Sequence, residues 1–406
     1  MPVRLRSGEK ARFVHLDYAA SAPCVRAAAD AVEGMLPWYG SVHRGAGVRS
    51  GKSTLEYEVA RQAVGDFVGA RAGDAVVFTR NTTDAFNLLA RVLPAGVTVV
   101  VFEGEHHANL LPWSAVVRLP VPWGPDAAVE SLERALAGIA GQVVFAVTGA
   151  SNVTGEVWPV RRLADVAHAY GARVVVDAAQ LVPHRVVDME ALGADYLAFS
   201  GHKLYAPFGA GVLVGRSDWL DAAEPYLRGG GASVAVGDGV GEVTWATGPA
   251  RHEGGTPNLL GAVSLAAVCT ALVGADRAAL ERGERDLLAR LWEGLAEVPA
   301  AVPVSLFGAE HERVGIVSVA LPGHDVGEVA QRLALDHGVG VRAGQFCAHP
   351  LARRLAGSVA SGADDCGAGP AALLRISFGL GTVAEDIDRV VAALAQETGG
   401  LDRRVV

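Results

Sequence analysis

The chain has 406 residues, half of them hydrophobic, with 50 glycines and a formal charge of −9. That length and apolar content suffice to bury one or two sizeable cores, which excludes a mainly disordered protein. The acidic balance and the lack of a concentrated basic block exclude a nucleic-acid binder or a binder of anionic membranes. No run of about 18 apolar residues is present for a membrane span, and residues 1–10 lack the apolar centre of a secretory signal, so the sequence reads as cytoplasmic. Four cysteines (Cys24, Cys269, Cys347, Cys366) in so long a chain form neither a disulfide framework nor a CxxC zinc pattern. Each reads as core packing or as a reactive thiol. Lys and Arg together number 35, yet only Lys10, Lys52 and Lys203 are lysines, so any chemistry needing a primary amine has three candidates.

Taken in chain order, the first motif is a decoy. Residues 46–53 read A-G-V-R-S-G-K-S, one residue away from the phosphate-binding G-x-x-x-x-G-K-[ST] loop. That loop works only between a buried strand and a helix, and residues 37–44 (P-W-Y-G-S-V-H-R) do not read as a buried strand. From residue 75 onward, continuous apolar runs at 75–79, 97–102, 142–147, 174–176 and 196–199 predict strands covered on both faces. Helical spacing at 83–92, 127–139 and 160–170 separates them, and Gly171 stands as a helix stop. The run 209–215 follows the strand at 196–199 too closely for a crossover, so it is expected to lie antiparallel to it. A glycine-rich stretch at 228–255 precedes one long helical segment at about 258–295. Then come a strand (313–320), a helix (326–336), strands at 340–342 and 373–378, and a last helix (384–396). The fold class is therefore α/β: a mostly parallel sheet flanked by helices, in a large domain at 15–258. Residues 259–406, with the N-terminal segment 1–14, form a smaller α+β domain.

Open α/β sheets bind ligands at the C-terminal ends of their strands. V-V-V-D-A-A-Q at 174–180 and Y-L-A-F-S-G-H-K at 196–203 both place polar groups there. Asp177 and Lys203 would then face one crevice. An amine opposite an acid is what pyridoxal 5'-phosphate (PLP) requires: the lysine forms a Schiff base and the carboxylate keeps the pyridine nitrogen protonated. The bland reading makes Lys203 a turn residue and Asp177 a helix cap.

The motif set as a whole resembles the PLP-dependent class V aminotransferase superfamily of fold-type I, in its cysteine desulfurase and selenocysteine lyase-like branch. Besides D-A-A-Q and S-G-H-K, the resemblance rests on L-D-Y-A-A (16–20), R-N-T-T-D (80–84), E-H-H-A-N (105–109), S-N-V-T-G (151–155), E-G-G-T-P-N (253–258), V-R-A-G-Q-F-C-A (341–348) and R-I-S-F (375–378). It implies a sheet of the seven-stranded type. It also implies that Lys203 is the Schiff-base amine, that Asp177 pairs with the ring nitrogen, that Gln180 bonds the phenolate oxygen and that His106 stacks on the ring and shuttles protons. Thr82, Thr83, Ser200 and His202 would hold the phosphate, with the helix start after Thr82 supplying free N–H groups. The residue matching Thr256 reaches the phosphate of the neighbouring subunit's cofactor in relatives, which implies a homodimer with shared sites.

Arg375 matches the arginine that grips the substrate α-carboxylate, with Arg342 and Asn152 as second contacts. Cys347 matches the nucleophile that takes sulfur from L-cysteine as a persulfide, leaving L-alanine. A free thiol is mostly protonated at neutral pH, so a cationic neighbour such as Arg342 or His106 is expected. A sulfur-acceptor protein is an implied partner; no nucleic acid, membrane or metal is. The alternative reaction is that of a C–S lyase, selenocysteine lyase, epimerase or aminotransferase. Gln345-Phe346 departs from the histidine pair common before the nucleophile, and Gly379-Leu380-Gly381-Thr382 departs from the usual aromatic and Asn-bearing sequence after the arginine.

Overall fold

The computed structural model describes residues 1–360 and 372–399. Its centre is a seven-stranded sheet: β1 (Asp74–Thr79), β2 (Thr98–Phe102), β3 (Val116–Leu119), β4 (Val143–Thr148), β5 (Arg173–Asp177), β6 (Tyr196–Ser200) and β7 (Gly211–Arg216). The spatial order is β1-β7-β6-β5-β4-β2-β3. All neighbours are parallel except β7, which runs antiparallel to β6 and to β1, as the short connection after β6 demands. Every residue of β4 and β6 is buried, which is why these strands read as unbroken apolar runs.

Edge strand β3 escapes the sequence reading because its V-V-R-L is short and only partly buried. The glycine-rich stretch contains a further small hairpin, Ser233–Val236 with Val243–Trp245. The decoy motif lies at the start of the helix Val48–Phe67, capped by Gly47. Lys52 there pairs with Glu56 one turn on, and Ser53 Oγ accepts from Gly40 N at 2.9 Å, so no phosphate loop exists.

The long helical segment is broken. The helices Leu259–Val273 and Arg277–Ala296 meet at 90°, because Gly274 ends the first and the Asp276 side chain caps the second by accepting from Ala279 N at 2.9 Å. The first helix packs Leu259, Ala262 and Ala266 against Tyr57 and Ala60. The second joins another core, in which Leu288, Leu291 and Leu295 meet Val14, Leu16, Val317 and Ile387. That core covers an antiparallel sheet of Val302–Pro303, Ile316–Ala320, Leu373–Ser377 and Arg342–Gly344. Among the described residues no single helix is long and apolar enough to cross a membrane.

Candidate active site

The strand ends named from the sequence open into one cavity of about 650 Å³. Thr82, Thr83, His106, Asn152, Asp177, Ser200, His202, Lys203, Arg342, Cys347 and Arg375 all line it. Gln180 lies beside it, its Nε2 donating to the carbonyl of the lining residue Ala19 at 2.8 Å. Thr256 does not line it: it is exposed, in the loop before Leu259–Val273. A task directed at a neighbouring subunit would leave it outside the cavity of its own chain.

One wall is built for an anion. The helix Thr82–Val92 starts at the cavity, with the Asn81 side chain accepting from Asp84 N at 3.0 Å and fixing its first turn. The Ser200 hydroxyl accepts from Thr82 N at 2.7 Å and lies 2.6 Å from Thr82 Oγ1, tying the end of β6 to that helix start. Hydroxyls of Thr82, Thr83 and Ser200 and the His202 ring thus line the cavity beside the positive end of this helix, a setting that attracts phosphate.

The opposite charges sit deeper. Asp177, last residue of β5, is 5% exposed, and its Oδ1 accepts from Ala179 N at 3.0 Å. Burial raises its pKa, and the nearby Lys203 opposes that rise. Burial pushes the Lys203 amine down to about 8; Arg375 pushes the same way, while Asp177 and Cys347 hold it up. At pH 7 the neutral amine is then about 300-fold more abundant than for an ordinary lysine. The sign follows: a lowered pKa gives more neutral, nucleophilic amine at any pH below 8. PLP uptake by the apoprotein should accelerate about tenfold per pH unit up to about 8 and then level off, read by the growth of visible absorbance; a pH-independent rate would contradict the assignment.

His106 caps the short helix His107–Leu110, its Nδ1 accepting from Ala108 N at 3.0 Å. Burial, aided by Lys203, His107 and Arg375, pushes its pKa down to about 3. The ring is neutral, with its proton on Nε2. This corrects the expectation of a His106 cation beside Cys347: two cations already face the imidazole, and a third charge there is disfavoured.

Arg375 is 2% exposed on the strand Leu373–Ser377. Its Nη2 donates to Asp17 Oδ1 at 2.9 Å, its Nη1 to Asn152 O at 3.0 Å, and its guanidinium lies 4.8 Å over the Phe346 ring. Arg342 pairs in register with Arg375 on the adjacent strand and reaches Asp17 Oδ2 at 3.4 Å. Two guanidinium groups share one carboxylate, so the clamp keeps a net positive charge for an incoming carboxylate. The sequence reading assigned Asp17 no role, because only the fold brings it against residue 375.

Cys347 is exposed at the tip of a strained loop, with Phe346 and Cys347 both left-handed at φ 51° and 54°. Such residues cost about 1–3 kcal/mol each. Two bonds hold them: Asn152 Nδ2 donates to Phe346 O and His107 N donates to Cys347 O, each at 2.7 Å. Glu105 is a further unassigned residue. It is 1% exposed and accepts from Thr148 N at 2.9 Å and Asn109 Nδ2 at 2.8 Å, strapping the His106 loop to β4. Burial raises its pKa to about 8. Cys269 is buried in a helix, and Cys366 lies outside the described residues.

The class V aminotransferase family profile matches residues 14–390, and the chain belongs to that family. Within it, the chain is similar to cysteine desulfurases: 34% identical to one from Klebsiella pneumoniae (strain 342), covering 97% of this chain and 95% of that protein, and 35% identical to one from Dickeya dadantii (strain 3937), covering 97% and 94%. The apo structure of a cysteine desulfurase from Thermococcus onnurineus NA1 superposes with a TM-score of 0.84 at 31% identity, covering 96% of this chain and 95% of that one. The cysteine desulfurase CsdA from Escherichia coli gives a TM-score of 0.80, also at 31% identity, covering 95% and 94%.

Proposed function

We propose that this enzyme is a cytoplasmic, homodimeric, PLP-dependent cysteine desulfurase that moves sulfur from L-cysteine onto Cys347 as a persulfide, releases L-alanine and passes the sulfur to an acceptor protein. The observation that carries the reading is the presence, in one cavity, of an exposed thiol at Cys347, an amine at Lys203 whose pKa burial lowers to about 8, and the Arg375–Arg342 clamp. The class V family and its cysteine desulfurases are PLP-dependent, and the donor set suits that cofactor. A buried carboxylate with only Oδ1 bonded is left at Asp177 for the ring nitrogen, and a helix start with three hydroxyls is left for the phosphate.

Lys203 would hold the cofactor covalently and Asp177 its ring nitrogen. Gln180 would hold the phenolate oxygen and His106 the ring face, while Thr82, Thr83, Ser200 and His202, with Thr256 from a second copy of the chain, would hold the phosphate. PLP, when bound, supplies the electron sink that loosens the α C–H and β C–S bonds of the substrate. Arg375 and Arg342 orient the substrate carboxylate, with Asp17 keeping both side chains in place. Lys203 Nζ takes the α-proton and returns a proton to the product. Cys347 Sγ, as thiolate, attacks the substrate sulfur: an S–S bond forms, the C–S bond breaks, and carbon keeps the electron pair and gains a proton. L-cysteine and Cys347–SH thus become L-alanine and Cys347–S–SH, with no oxidant needed.

The holoenzyme incubated with L-cysteine should release alanine and leave the Cys347 peptide heavier by one sulfur atom in mass spectrometry. Pyruvate, a keto acid or racemised cysteine in place of alanine would overturn the reading in favour of the lyase, aminotransferase or epimerase alternatives.

A further inference from the structure

A second cavity, of about 380 Å³, lies behind the Cys347 loop and is lined by Glu103, Leu110, Arg118, Pro350, Arg353 and Arg354. It shares two elements with that loop. The helix His349–Ala360 begins two residues after Cys347 and carries Pro350, Arg353 and Arg354, with Arg353 about 6 Å along its axis. The helix His107–Leu110, whose first N–H donates to Cys347 O at 2.7 Å, contributes Leu110. Charge is unbalanced here. Arg354 Nη2 donates to Glu103 Oε2 at 2.9 Å, but Arg118 and Arg353, both exposed, have no carboxylate partner among the described residues. Leu111, next to Leu110, is 62% exposed.

Two arginines with no carboxylate partner among the described residues, beside a third that is paired with Glu103, stand out on a chain whose formal charge is −9. The net charge of the chain opposes the approach of an acidic protein, whereas exposed Arg118 and Arg353 favour one locally, and Leu111 offers apolar contact. We infer that the Arg118–Arg353–Arg354 cavity docks an acidic segment of a thiol-bearing sulfur-acceptor protein, bringing its cysteine to Cys347. The inference deepens the desulfurase reading and rests on it. In the transfer, the acceptor thiolate attacks the terminal sulfur of Cys347–S–SH. The new S–S bond forms on the acceptor, the old one breaks, Cys347 leaves as thiolate, and the acceptor's proton restores Cys347–SH. Electrons and atoms balance without a reductant. Rim charges of this kind set encounter rate and salt dependence.

The test uses the holoenzyme, L-cysteine and three synthetic peptides of equal length, each with one cysteine flanked by Asp/Glu, by Ser/Gly or by Lys. At low salt the acidic peptide should receive sulfur at least about 10-fold faster than the neutral one and faster still than the basic one, and high salt should erase the difference. The double variant Arg118→Glu/Arg353→Glu should lose that advantage while alanine formation supported by dithiothreitol stays unchanged. Equal rates for the three peptides, or an advantage kept by the variant, would overturn the docking site. Fluorescence anisotropy with the Cys→Ser acidic peptide reads docking without sulfur chemistry. Binding to the native protein and not to the variant, with no persulfide on Cys347, would sink the desulfurase reading and leave the docking site standing; no binding at all would sink the docking site.

Discussion

Lys203→Ala is expected to abolish alanine formation, with a fall in kcat of at least about 10³-fold, and to remove the visible band of the lysine-bound cofactor. No other amine can substitute. Lys10 lies on the exposed strand Lys10–Arg12, and Lys52 is paired with Glu56 in the helix Val48–Phe67. Lys203 combines three properties found nowhere else in the chain: it lines the active-site cavity, faces the buried Asp177, and has its amine pushed down to about 8 by burial. Lys203→Arg should be equally inactive, since a guanidinium keeps its proton at every accessible pH and offers no neutral amine. Absorbance spectra and alanine assays of both variants check this. A variant that keeps the band, or more than a hundredth of the native rate, would remove Lys203 from its assigned role.

What the sequence made legible was the chemistry at the ends of buried parallel strands. Asp177 and Ser200 close β5 and β6, and Lys203 follows within three residues, so their convergence follows from parallel pairing alone. Features set by distant contacts stayed hidden. Asp17 meets Arg375 across 358 positions of sequence, and nothing in L-D-Y-A-A announces that it will hold two arginines. The neutrality of His106 depends on Lys203 and Arg375 arriving beside it, which no local pattern encodes. The helix His349–Ala360 did carry a signal: Pro350 near its start, with Leu351, Leu355 and Val359 four residues apart.

The departure at Gln345-Phe346 also has a structural meaning. Where relatives carry histidines, Phe346 puts its ring under the Arg375 guanidinium, a cation–π contact that stiffens the carboxylate clamp from below. The imidazoles near Cys347 come instead from His107 and His349, whose rings meet at 4.4 Å, with His349 N donating to His107 Nε2 at 3.4 Å. Burial and the neighbouring His349 lower the pKa of His107, so that side of the loop favours a neutral ring. Cations placed to stabilise a Cys347 thiolate are Lys203, in its protonated form, and Arg375, both of which feel the charge of Cys347, and Arg342 lines the same cavity.

Cys347→Ala should accordingly separate binding from sulfur removal. The clamp of Arg375, Arg342 and Asp17 is untouched, as are the residues assigned to the cofactor, so the visible spectrum and its perturbation by added L-cysteine should survive. Alanine formation should fall by about 10³-fold, because among the described residues no other thiol lines the cavity to accept the sulfur. Cys269 is buried, with its thiol pushed far above the usual range, and cannot take over. Cys24 is exposed but lines neither the active-site cavity nor the basic one, so Cys24→Ala should behave as the native enzyme and serve as the control. Loss of cysteine-induced spectral change together with activity would instead place Cys347 in binding. Undiminished alanine release in Cys347→Ala, with dithiothreitol present, would mean that sulfur leaves the substrate without passing through this thiol.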